Sequence, residues 1–202
     1  MRKTIGSGLA AAMLFLVAFV PAQAQVSWDS PGLVSPSSPA GWGVYLVDPH
    51  PGSGIGILTT FRGSPGTGLG YRIGLAEDRS GDLAVFGGVD VSGMLLRHSR
   101  DFPLDIAWLT GIGLGVGDRA RISVPLGVSL GRDLESDGVW FNPYMAPRVV
   151  LDARFGSGSN LDLDLAVDLG VDISFDPGWA VRFGGTLGDR SALAIGLSFR
   201  VF

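Results

Sequence analysis

The chain has no cysteine, which excludes disulfides, thiolate zinc sites and cysteine nucleophiles. Lysine is almost as scarce: after Lys3 every basic side chain is arginine, the residue whose planar fork pairs best with carboxylates. Histidine occurs only as His50 and His98, which leaves little material for acid–base or metal chemistry. Charged residues make up 17% of the chain, below the roughly 25% usual in soluble domains. A net charge of −4 and a pI near 5.0 provide no basic patch for nucleic acid. Past the N-terminus there is no apolar run of about twenty residues, which excludes a helical membrane protein but not a barrel.

What is present is alternation. From Leu161 to Phe175 the odd positions are Leu161, Leu163, Leu165, Val167, Leu169, Val171, Ile173 and Phe175, while the even ones include Asp162, Asp164, Asp168 and Asp172. A strand sends successive side chains to opposite faces, so one face is wholly apolar and the other carries four carboxylates; a helix would scatter both sets around its circumference. At about 3.3 Å per residue the run reaches roughly 50 Å, far longer than a typical soluble strand. This is the pattern of a transmembrane strand with one face to lipid and one to a barrel interior.

The N-terminus has the layout of an export signal over residues 1–24: Arg2 and Lys3, an apolar core from Leu9 to Val20, and the cleavage triplet Ala22-Gln23-Ala24. Residues 25–39 are Ser- and Pro-rich with no period, and are expected to form an extended, disordered periplasmic tail, the alternative being that Trp28 docks on the barrel. Residues 40–202 then divide into ten alternating runs, at 40–47, 54–62, 67–77, 82–96, 104–117, 119–131, 139–154, 160–175, 178–188 and 191–202. Turn chemistry such as RGSPGTG, EDRSG, GSGS and DPG separates them. The expected fold is therefore all-β: an antiparallel up-and-down transmembrane β-barrel of ten strands, or of eight if the two weakest runs at the start are not staves.

The two faces of these runs differ sharply. One is lined throughout by residues such as Ile57, Ile73, Val85, Ile112, Leu126, Val149, Phe183 and Ile195, and no charged residue falls on it. A mid-depth arginine or lysine on a lipid face costs about 2–4 kcal/mol, so a charge-free outer face is what a membrane demands. The other face holds all the strand charges together with many glycines. The residues expected to form an ion-paired interior are Arg148, Arg154 and Arg182 with Asp152, Asp162, Asp164, Asp168 and Asp172. Paired in register, Arg154 is expected opposite Asp162, Arg148 opposite Asp168, and Arg182 opposite Asp172.

The chain ends AIGLSFRVF. In this last strand Gly196, Phe199 and the terminal Phe202 resemble the C-terminal signature of bacterial outer-membrane β-barrel proteins, although Phe202 falls in phase with Arg200 rather than with Phe199. The resemblance implies an outer-membrane location, lipid as the surrounding partner, and recognition of that strand by the barrel-insertion machinery. It also places the C-terminus in the periplasm, with residues 48–53, 77–81, 117–119, 155–159 and 189–191 at the opposite mouth. Trp42, Phe61, Tyr71, Phe102, Trp140, Phe141, Phe175, Trp179 and Phe199 then fall near the periplasmic ends as one aromatic girdle.

No catalytic, cofactor or metal set is expected. His50 and His98 fall in loops at opposite mouths, and His50, flanked by prolines, reads as solvated. Ser80, Ser157, Ser159 and Ser191 lie in turns without a surrounding motif. The leading expectation is a non-enzymatic barrel that supports the envelope or displays modest loops. The rival is a narrow pore for small solutes; a barrel enzyme acting on lipid or peptide has least support.

Overall fold

A computed structural model describes residues 26–52, 54–63, 68–78, 81–117, 119–155 and 160–200. The export signal, Gln25, the turn at 156–159 with its Ser157 and Ser159, Ser80 and the terminal Phe202 lie outside the described residues. The strands are β1 Gly41–Asp48, β2 Gly56–Arg62, β3 Leu69–Glu77, β4 Leu83–Leu96, β5 Asp105–Val116 and β6 Ala120–Gly131. They continue with β7 Leu134–Ser136, β8 Val139–Phe155, β9 Asn160–Asp176, β10 Trp179–Gly188 and β11 Ala192–Arg200.

Sequence neighbours pair antiparallel around the sheet, β1 pairs with β11, and β6 also pairs with β8, so the barrel is closed. It has ten staves, because the short β7 prolongs the line of β6 beside β8 after an interruption at residues 132–133. The eight-strand alternative falls: β1 is bonded along its length to both β2 and β11. Closure leaves no strand edge in lipid, where an unpaired amide has no water to bond. β7 and β8 are joined through Asp137 and Gly138, with φ of 52° and 79°. Positive φ at both central residues is the two-residue hairpin turn that an Asp-Gly pair favours.

Burial alternates along the staves as the two-residue period requires, for instance exposed Val44 and Leu46 against buried Tyr45 and Val47 in β1. The exposed row is apolar around the barrel, from Ile57, Ile73 and Val85 through Ile112 and Leu126 to Leu165, Phe183 and Ile195. At the mouth shared by Gly41 and Arg200, register sets Tyr71 beside Phe61, Phe61 beside Trp42, Trp42 beside Phe199 and Phe199 beside Trp179. Ring centroids of Trp42 and Phe61 lie 4.7 Å apart, and those of Phe175 and Trp179 6.3 Å apart. The girdle thus runs unbroken over six neighbouring staves. An apolar belt bounded by such a ring is the outer surface of a transmembrane barrel of the outer-membrane type.

Two expectations are corrected. Residues 26–39 are not a disordered tail. They run through the lumen, with Val26, Trp28, Leu33 and Val34 each buried to 3% exposure or less. The expected register of β8 on β9 is also displaced by two residues. Arg154 faces Asn160 rather than Asp162, and Ala146, not Arg148, faces Asp168. A shift of two leaves every side chain on its own face, so the hydrophobic pattern is blind to it. The Arg182–Asp172 register is as expected, with an irregularity at Trp179 and Val181.

Candidate functional site

Val26 lies near the far mouth, where its carbonyl approaches Gly115, and Pro36 approaches Gly131 at the mouth that holds Arg200. The segment between them has no periodic structure, so its backbone groups have no ladder to join. A buried backbone group needs a partner. The wall supplies them, mostly from arginine, whose five donors suit the task.

Arg121 donates to Ser27 Oγ at 2.9 Å. Arg72 donates to the carbonyls of Pro31 at 3.0 Å and Trp28 at 3.4 Å, and Arg182 to that of Leu33 at 3.0 Å. Ser129 Oγ donates to the Val34 carbonyl at 2.7 Å, and Asn142 Nδ2 donates to Ser35 Oγ at 3.2 Å. In the other direction, Gly32 N–H donates to Asp168 at 3.0 Å and Trp28 Nε1 to the Ser123 carbonyl at 3.0 Å.

Trp28 is the apolar anchor. Its indole lies over Gly88 and Gly113, which face one another across β4 and β5. A methyl group at Gly88 would sit 2.6 Å from Trp28 Cδ2, and one at Gly113 2.6 Å from Cε2, so only glycine admits the ring. The Arg72 guanidinium carbon lies 5.4 Å from the ring centroid, within cation–π range. Leu33 repeats the arrangement, with its Cδ2 2.5 Å from where a Gly184 methyl would be.

The interior charges are ion-paired in several groups, of which one is joined through Arg148 and Arg190. Arg148 bonds Asp168 through Nε at 2.6 Å and Nη2 at 3.2 Å, reaching it diagonally from two residues along. Arg182 makes a two-point pair with Asp172, and Arg154 meets Asp162 at 3.1 Å. Asp152 is met by Arg190 and, at 3.7 Å, by Arg121; Asp164 is met by Arg190 at 3.2 Å. All eight interior residues named from the sequence thus meet ion-pair partners inside one lumen.

Two participants were not foreseen, Asp29 and Arg190. Asp29 carries the only charge of residues 26–39 and bonds both Arg148 and Arg190. Arg190 belongs to the β10–β11 turn and folds inward. Burial pulls its guanidinium's pKa down, and Asp29 and Asp152 more than reverse this, holding it above its ordinary value. Among the described residues the lumen pairs Arg62, Arg72, Arg121, Arg148, Arg154, Arg182 and Arg190 with Asp90, Asp152, Asp162, Asp164, Asp168 and Asp172 on the wall. Asp29 joins them from the threaded segment.

Among the described residues little room remains at mid-depth. The void bounded by Trp28, Asp29, Arg72, Arg148 and Asp168 measures about 20 Å³, space for roughly one water. A polar cavity of about 160 Å³ opens toward the Arg200 mouth between Ser37, Asp133, Asn142 and Arg200. On the outer wall an apolar groove of about 570 Å³ runs where Gly185 leaves no side chain between Leu169 and Leu193.

His50, expected in solvent, is 8% exposed: Asp48 accepts from the His50 and Gly52 amides at 3.0 and 2.7 Å and folds the turn back. His98 lies at the other mouth, its Nδ1 3.0 Å from Asp105. Ser191 is exposed. In the last strand Gly196 packs its backbone against Tyr45, and Phe199 stands in the girdle.

No protein-family model and no curated protein matches the chain. Among solved structures it is similar to one described as a bacterial polysaccharide outer membrane secretin, at 9% identity and a TM-score of 0.42, covering 74% of this chain and 56% of that one. It is also similar to a KdgM porin in complex with disordered oligogalacturonate, at 9% identity and a TM-score of 0.38, covering 82% and 100%. A third is a de novo designed transmembrane β-barrel, at 14% identity and a TM-score of 0.37, covering 82% and 98%. The chain spans little more than half the length of the secretin, and the likeness in each case is one of barrel architecture alone.

Proposed function

We propose that this chain is a non-enzymatic wall protein of the bacterial outer membrane, a barrel closed by its own N-terminal segment that contributes to envelope structure or surface interaction. The observation that carries this reading is the occupied lumen: residues 26–39 fill it, and the void left at mid-depth is about 20 Å³. An open channel needs a continuous water path, and the described residues of the segment, bonded to the wall, stand where that path would run. The export layout of residues 1–24 supports delivery across the inner membrane, and the last strand, with Gly196, Phe199 and Phe202, supports handling by the insertion machinery.

The second reading is a narrow pore for small solutes. It draws on one observation: the wall arginines keep wall carboxylates as partners, so the barrel does not depend on residues 26–39 for all of its charge pairing. Conductance of the full chain in planar bilayers separates the two. The closed-barrel reading expects no stable current steps, and steady ohmic steps from the unmodified protein favour the pore.

A further inference from the structure

Asp29 differs from every other carboxylate of the lumen because it belongs to the threaded segment and not to the wall. Its two oxygens are divided between two guanidiniums, Oδ2 to Arg148 Nη1 and Oδ1 to Arg190 Nη1, the latter at 2.6 Å. The remaining donors of both arginines are committed elsewhere. Arg148 turns Nε and Nη2 to Asp168 on the wall, and Arg190 turns Nε to Asp164 at 3.2 Å and Nη2 to Asp152. Each guanidinium is therefore held by the barrel with Nη1 turned to the Asp29 carboxylate, and Arg148 Nη2 also reaches the Asp29 carbonyl at 3.3 Å and Ser30 Oγ at 3.1 Å. Two such groups held by wall carboxylates make a fork for a planar carboxylate that does not depend on the carboxylate being there. Both arginines are buried, at 4% and 6% exposure, so bulk water does not compete for them.

We propose that Arg148 and Arg190 form a carboxylate-binding site, which the chain fills with Asp29 and which a small carboxylate solute occupies when that side chain is removed. The inference rests on the closed-barrel reading, in which the threaded segment is the resting occupant of the lumen. A solute bearing a carboxylate is then the chemical class that competes with the segment for its ionic anchor. Asp29 gives the two Nη1 atoms one oxygen each, the two-oxygen pattern of a planar carboxylate, whereas phosphate is larger and tetrahedral.

The test is chemical rescue in the full chain. Asp29→Ala is refolded into detergent, and its unfolding midpoint is read from heat-modifiable gel migration in sodium formate, acetate, phosphate or chloride at equal ionic strength. Asp29→Ala is expected to lower the midpoint, and formate and acetate to restore a large part of the loss while leaving the unmodified protein where chloride leaves it. The double variant Asp29→Ala with Arg190→Gln is expected to lose that restoration. Should Asp29→Ala fail to fold in chloride, the folded yield in formate is the readout, and a yield no better than in chloride overturns the proposal. So does an Asp29→Ala midpoint equal to that of the unmodified protein, a response to phosphate as large as to formate, or a rescue that survives Arg190→Gln. Ohmic conductance of the unmodified chain would sink the closed-barrel reading while leaving the rescue result to stand or fall by itself.

Discussion

Arg148 and Asp168 face each other out of step: Ala146 is the residue opposite Asp168, yet Arg148 closes a two-point pair with it at 2.6 and 3.2 Å. The diagonal reach leaves the far nitrogen of Arg148 for Asp29. Removing one member of a buried pair leaves an uncompensated charge, at a cost of about 3–5 kcal/mol. Arg148→Ala should destabilise by this order in urea unfolding from lipid vesicles. Adding Asp168→Ala should recover part of the loss but not all, because Asp29 keeps only Arg190. Strict additivity of the two single changes would contradict the pairing.

The glycine seat of Trp28 makes a second prediction. Gly88→Val places branched atoms where the indole lies and should cost about 1–3 kcal/mol by overpacking, while Trp28→Ala should cost about 3–5 kcal/mol as a large buried aromatic. If the two residues share one space, the double variant costs clearly less than the sum. A double-mutant cycle on the same unfolding assay measures this, and a coupling near zero would unseat Trp28 from β4.

The belt predicts a depth profile along one stave. Leu169 lies near the middle of β9 and Leu161 at its end, and both point outward. Leu169→Arg should therefore cost about 2–4 kcal/mol and Leu161→Arg about 0–1 kcal/mol. Equal costs would mean that β9 does not cross the bilayer as placed.

How far the residues announce all this depends on the kind of regularity involved. The period of two along Leu161–Phe175 is enough to orient a stave, so the outward rows and the inward charges were legible, as was the Asp172–Arg182 register across a short Asp-Pro-Gly turn. The register of β8 on β9 was not, since a slip of two residues conserves every facing. Arg190 was hidden because Gly-Asp-Arg-Ser reads as turn chemistry, and nothing local says that the turn folds its arginine inward. The glycines of β4 and β5 read as making room, but what fills the room comes from residues 26–39, which have no period and whose contacts lie up to 161 residues away. A Ser- and Pro-rich run is ordinarily left in solvent. This one is held because it carries Trp28 and Asp29 side by side, one for the glycine seat and one for the arginine fork.

The measurement closest to the central claim, that residues 26–39 fill the lumen, uses the chain's lack of cysteine. A single Val34→Cys, at a position 3% exposed, is compared with a single Ser191→Cys in an exposed turn, both as folded barrels treated with a water-soluble maleimide. The account predicts that Cys at 191 labels readily, and that Cys at 34 stays unlabelled until the barrel is unfolded. Equal labelling of the two in the folded protein would show the segment outside the barrel and contradict the account.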